Sequence, residues 1–218
     1  MRLEIDGYKD QIPNVLLGAE ESSEHLGIIF PGVAYSSQMP ALYYAAEVLL
    51  TLGADVLRLD HHYRRSDFQT LPDAEKTRWL ETDALAALKA ALALKPYKRL
   101  TFVGKSIGTV ALARILSELP SLEHADFVWL TPLLKLAGLK ETIFQYPHKA
   151  LFIIGSDDQS YDAALLEQIR ASTNGQVLLL EGADHSLEIR GDVVASVRVQ
   201  ERIVTTLERF ITPSPSTP

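Results

Sequence analysis

Along the 218-residue chain, compact apolar runs alternate with longer segments in which apolar positions return every three or four residues. The runs are LGIIFPG, ADVLRLD, RLTFVGKS, ADFVWLTPLL, KALFIIGSDD and QVLLLEGADHS. Apolar residues at consecutive positions make a strand that needs cover on both faces. The segments ALYYAAEVLLTLG, DAEKTRWLETDALAALKAALAL, IGTVALARILSEL, YDAALLEQIRAS and ASVRVQERIVTTLERFI carry one apolar face each and predict amphipathic helices. Together the two patterns specify an α/β fold, a mostly parallel central sheet flanked by helices on both faces. Ahead of them, RLEI and NVLLGAE flank Asp6-Gly7 and predict a short antiparallel ribbon at the sheet edge.

The pattern has no fixed repeat and no internal linker, so one domain is expected over residues 1–211. With 47% of residues hydrophobic, that length buries a sizeable core. The last residues, 212–218 (TPSPSTP), lack the composition for a core and are expected to be disordered. Leu26 to Ala46 carries no charge, yet Pro31, Gly32, Ser36, Ser37, Gln38 and Pro40 interrupt it, so it predicts strand, loop and helix start rather than a membrane span.

Charge and composition narrow the chemistry. The formal net charge is -7 and no Lys/Arg run occurs, which argues against a nucleic-acid partner. The absence of cysteine excludes disulfides, thiolate zinc sites and a cysteine nucleophile. Charged residues in Met-Arg-Leu-Glu-Ile-Asp break what a signal peptide would need as its apolar core, so a cytoplasmic location is expected.

The candidate chemistry starts at Gly104-Lys105-Ser106-Ile107-Gly108. A Gly-x-Ser-x-Gly pentapeptide alone is weak, but this one follows the run Leu100 to Val103 and precedes a helical pattern. That is where a nucleophile elbow must lie, because a tight strand-to-helix turn exposes its serine and the two glycines let strand and helix approach. The helix start also aims backbone N–H groups, that of Ile107 among them, at a developing anion. A serine hydroxyl needs a base and an orienting acid. In a parallel sheet the loops after the strands gather at one edge. Two later strands deliver Asp157 and Asp158, and then His185, to that edge. The residues themselves leave the two aspartates open.

Four stretches, IIFPGVAYSSQMP, FVGKSIGTVAL, LFIIGSDDQSYD and VLLLEGADHSLEI, resemble in order and context those of the α/β-hydrolases, in a small form without a cap. The resemblance spans nearly the whole chain. It departs in one place: Pro31-Gly32 stands where the family often has His-Gly. It implies a serine hydrolase with Ser106 as nucleophile, His185 as base and an aspartate as orienting acid. It favours Asp158, three residues after Gly155, over Asp157. It also implies an oxyanion hole from the N–H groups of Ile107 and Val33, with Ala34 as the fallback for Val33. Expected substrates are small to medium acyl esters or thioesters, with no metal or organic cofactor. Turnover should rise with pH as His185 loses its proton. The alternative is a binding or scaffold module that keeps the fold and a vestigial triad.

Other residues carry weaker expectations. His61 and His62 follow ADVLRLD at the same sheet edge and are expected in a polar loop rather than around a metal. Tyr35 lies near the oxyanion loop without an assigned role, whereas Tyr43 and Tyr44 are expected to pack on a helix face. Lys105 is expected to be solvated.

Overall fold

The computed structural model describes residues 1–18, 22–60, 63–119, 121 and 123–212. His61, His62 and residues 213–218 of the expected tail lie outside the described residues. The strands are β1 (Asn14–Leu17), β2 (His25–Phe30), β3 (Asp55–Leu59), β4 (Arg99–Lys105), β5 (Ala125–Leu130), β6 (Lys149–Gly155) and β7 (Asn174–Leu180). They form one sheet in the order β1-β3-β2-β4-β5-β6-β7. Every pairing is parallel except that of β1 with β3.

Side-chain alternation along these strands divides the core into two layers. Ile28, Phe30, Phe102, Phe127, Trp129, Phe152 and Ile154 face one side. There they meet α3 (Asp73–Leu92), α4 (Gly108–Glu118), α5 (Leu139–Gln145) and α6 (Ala163–Ser172). Ile29, Val56, Val103, Val128, Leu130, Leu151 and Ile153 face the other side, where α1 (Pro40–Thr51) and α7 (Val193–Ile211) pack. Both α6 and α7 start at an aspartate cap: Asp162 accepts from the Leu165 N–H at 3.0 Å and Asp192 from the Ala195 N–H at 2.9 Å. Each satisfies a donor that has no partner inside its helix.

The opening ribbon is looser than its pattern implies. RLEI forms no strand, and the sheet-building pair is β1 with β3. The opening segment still runs antiparallel to the one that enters β1, with Asp6 bridged to Gln11, the Ile12 N–H donating to the Ile5 carbonyl at 2.9 Å and the Leu16 N–H to the Met1 carbonyl at 2.8 Å. Side-chain amides supply further bonds: the Leu3 N–H donates to Asn14 Oδ1 at 2.9 Å, and the Ile5 N–H donates to Gln11 Oε1 at 3.0 Å. Two short helices went unannounced by any periodicity, α5 and α2 (Ser66–Gln69). No helix among the described residues is long and apolar enough to cross a membrane.

Candidate active site

The parallel strands all end at one edge, and the turn from β4 into α4 lies at its centre. Ser106 occupies that turn at φ 55°, a left-handed conformation that costs a non-glycine residue roughly 1–3 kcal/mol. Two close approaches hold it there. A Cβ on Gly104 would lie 2.6 Å from the Gly108 carbonyl oxygen, and one on Gly108 would overlap the carbonyl oxygen of Phe30. The Ser106 N–H donates to the Leu130 carbonyl at 3.0 Å, which ties the turn to the neighbouring strand.

Two further strand ends converge on this turn. A Cβ on Gly155 would run into the Ala183 carbonyl, so only glycine lets the end of β6 pass so close to the loop after β7. The Asp157 N–H donates to that same carbonyl at 3.0 Å. In consequence His185 Nδ1 lies 2.8 Å from Asp158 Oδ2, and His185 Nε2 lies 2.9 Å from Ser106 Oγ. With the proton on Nδ1, the imidazole donates to the carboxylate and accepts from the serine hydroxyl. Asp157 is exposed, and its carboxylate meets the Ser156 hydroxyl at 3.3 Å instead.

Burial works to raise the Asp158 carboxyl, but it is outweighed. Hydrogen bonds from His185 and from the Ser160 N–H, with the nearby charges of His185 and Lys105, hold the group below the ordinary carboxylate range. Asp158 is therefore a buried anion aimed at an imidazole.

The sequence-derived oxyanion donors sit beside this chain. Ile107 precedes the first turn of α4, and Val33 lies in the loop between β2 and α1, which is fixed by a bond from the Gly32 N–H to the Tyr35 carbonyl at 2.9 Å. Neither the Val33 nor the Ile107 N–H donates to any acceptor among the described residues. Their side chains share one cleft of about 230 Å³, lined also by Phe68, Leu80, Val110 and Leu136. Ala34 is exposed and does not line it. Among the described residues no group of three His, Asp or Glu side chains is placed to hold a metal.

Lys105 contradicts its expectation. It is 1% exposed, with Nζ donating to Thr131 Oγ1 at 2.9 Å and to the His185 carbonyl at 2.6 Å. Nζ also lies 4.5 Å from the centre of the Tyr35 ring. Register could have exposed this: Val103 faces the core layer under α1 and α7, so Lys105, two positions on, points the same way. Tyr43 and Tyr44 also depart from expectation. They are 39% and 44% exposed and touch each other edge to face.

No protein-family model matches the sequence, and no curated protein does. Solved structures match it over nearly its whole length. The chain is similar to Est1E from Butyrivibrio proteoclasticus, whose structure holds ferulic acid, with 16% identity, 95% and 98% of the two chains covered and a TM-score of 0.71. It is similar to an alpha/beta serine hydrolase without lid from Xanthomonas campestris, with 16% identity, 98% and 94% coverage and a TM-score of 0.69. An esterase from Pyrococcus furiosus matches with 18% identity, 96% and 90% coverage and a TM-score of 0.67. The architecture is that of the α/β-hydrolase fold in its small, lidless form.

Proposed function

From a lidless α/β-hydrolase fold with a serine, a histidine and an aspartate in one hydrogen-bonded line, we propose a serine hydrolase acting on esters or thioesters of small to medium acyl groups. The observation that carries this reading is the Ser106–His185–Asp158 chain, at 2.9 and 2.8 Å, built around a serine at positive φ. Ser106 Oγ attacks the acyl carbonyl carbon while its proton passes to His185 Nε2. Asp158 orients the imidazole and stabilises it once charged. The unoccupied N–H groups of Val33 and Ile107 receive the oxyanion. When the intermediate collapses, the proton on Nε2 goes to the departing alcohol or thiol. Water, deprotonated by the same nitrogen, then releases the acid and restores Ser106.

The cleft beside Val33 and Ile107 is mostly apolar and suits the acyl part, in keeping with neighbours that include an esterase and a protein holding an aromatic acid. The test is turnover of esters and thioesters of graded acyl length by the native protein and by Ser106→Ala. Hydrolysis that disappears in the variant supports the reading. Equal rates in both would remove Ser106 as the nucleophile, and no turnover of any substrate beside stable capture of a ligand would replace the reading with a binding module.

A further inference from the structure

Lys105 is a fully buried charged group at the sheet edge that the reaction just described does not use. It precedes Ser106 directly, at the end of β4, and its ammonium reaches three other segments. It donates to the backbone carbonyl of His185 at 2.6 Å and to Thr131 Oγ1, just after β5, at 2.9 Å. Its third side faces the Tyr35 ring, 4.5 Å away. Tyr35 belongs to the loop that carries Val33 and is itself pinned, since its hydroxyl accepts from the Ala41 N–H at 3.0 Å and its carbonyl from the Gly32 N–H at 2.9 Å.

We propose that Lys105 is a positioning residue whose charged ammonium fastens the His185 loop and the Val33 loop to the strand that presents Ser106. The proposal rests on the hydrolase reading of the site. Three features argue for a charged tie rather than a filler. An ammonium has three donors in a compact head, which matches a carbonyl, a hydroxyl and a ring face. Burial without a paired carboxylate is costly, and among the described residues no carboxylate lies within ion-pair distance of Nζ. A methionine would fill the same space without that cost. The charge also acts on the site: it is one of the influences that hold Asp158 low.

The tie should loosen in alkali. Burial pushes the Lys105 ammonium down to about 8, against the opposing pull of Asp158 and Asp184. The titratable and charged groups facing it are Tyr35 from the β2–α1 loop, Asp158 from the loop after β6, and Asp184 and His185 from the loop after β7, while Glu188 acts on Tyr35. Burial pushes the Tyr35 phenol up to about 12, so it stays neutral while Lys105 titrates. Above that point the amine keeps its N–H donors but loses its charge, and with it the attraction to the ring and the strength of a charge-assisted bond to the His185 carbonyl.

The experiment is a pH series of para-nitrophenyl acetate hydrolysis and of fluorophosphonate labelling at Ser106 for the native protein, Lys105→Met, Lys105→Arg and Tyr35→Leu. Native kcat should fall through about pH 8 as Lys105 loses its charge. Lys105→Met should lower kcat about tenfold or more with KM changed less than about twofold, and should lose the alkaline fall. Lys105→Arg stays cationic, so it should regain part of kcat and remain active at higher pH. Tyr35→Leu keeps the lysine if the methionine variant does not fold, and should move the alkaline fall to lower pH by roughly half a unit or more. Native labelling at Ser106 with kcat and the alkaline fall unchanged in the variants would overturn the role of Lys105 and leave the hydrolase reading standing. Absence of native labelling would instead remove the premise.

Discussion

The two edges of the sheet both bury charge, but they treat it in opposite ways. At the edge where the strands begin, Asp126 on β5 accepts from Arg99 Nε at 3.2 Å and meets Lys149 Nζ at 2.8 Å. Arg99 also reaches the Ile211 carbonyl, and Lys149 Nζ donates to the Phe210 carbonyl at 3.2 Å. Two cations on β4 and β6, the strands that flank β5, thus share one carboxylate and fasten the end of α7 to the sheet. At the edge where the strands end, Lys105 has a carbonyl, a hydroxyl and a ring but, among the described residues, no carboxylate within ion-pair distance, and Ser106 is held at φ 55°. The Val33 and Ile107 N–H groups there donate to no acceptor among the described residues. A saturated cluster stabilises. In the proposed reading, the unsaturated one, with a proton path through His185, serves a ligand that brings its own charge in the transition state.

The largest difference between the edges should come from removing the serine. Ser106→Ala is expected to lower ester turnover by roughly a thousandfold or more while leaving thermal unfolding within a few degrees, measured by steady-state kinetics and calorimetry. Next, the acid end of the line separates two adjacent residues. Asp158→Asn should cost about a hundredfold or more in kcat, because the imidazole loses the partner that selects its tautomer, whereas Asp157→Asn should stay within about twofold. Equal losses would break the assignment of Asp158.

At the opposite edge the expected effects are on stability. Asp126→Ala leaves Arg99 and Lys149 without their shared anion and should destabilise the protein by about 2 kcal/mol in a denaturant titration, partial exposure of the cations reducing the full cost of breaking a buried pair. Labelling of Ser106 should be unchanged under native conditions. The smallest effect belongs to His25, whose Nε2 meets Thr101 Oγ1 at 2.8 Å. Burial first, and then the Arg99 charge, push it down from 6.5 to about 4. Between those values the unfolded chain binds the proton and the folded one does not, so this group makes stability fall as pH falls from 6.5 toward 4. His25→Gln should flatten that part of a stability-against-pH curve, and a slope identical to that of the native protein would contradict the assignment.

How much of this is legible in the sequence depends on which signal each feature uses. The sheet and its five long helices follow from consecutive apolar residues and helical periodicity, signals that extend over many positions. α2 and α5 span four and seven residues, too short for a period to register. The proximity of Ser106, Asp158 and His185 follows from chain topology, since loops after parallel strands meet at one edge. Which of two adjacent aspartates faces the histidine does not, because that depends on the turn after Gly155. Lys105 departs from its expectation because lysine is ordinarily solvated, whereas the strand register it shares with Val103 points it inward. The opening ribbon is antiparallel as its pattern implies but too irregular to form a second strand, because Asn14 and Gln11 offer the backbone side-chain partners at positions where a ladder would bond.

Activation of Ser106 is the claim on which the reading turns. Labelling folded protein with a fluorophosphonate probe, followed by mass mapping of the modified peptide, tests it without knowledge of the substrate. The account predicts rapid modification confined to Ser106, lost on heat denaturation and in Ser106→Ala, and much slower in Asp158→Asn. A folded protein that is not modified, or one modified elsewhere with Ser106 untouched, would contradict it.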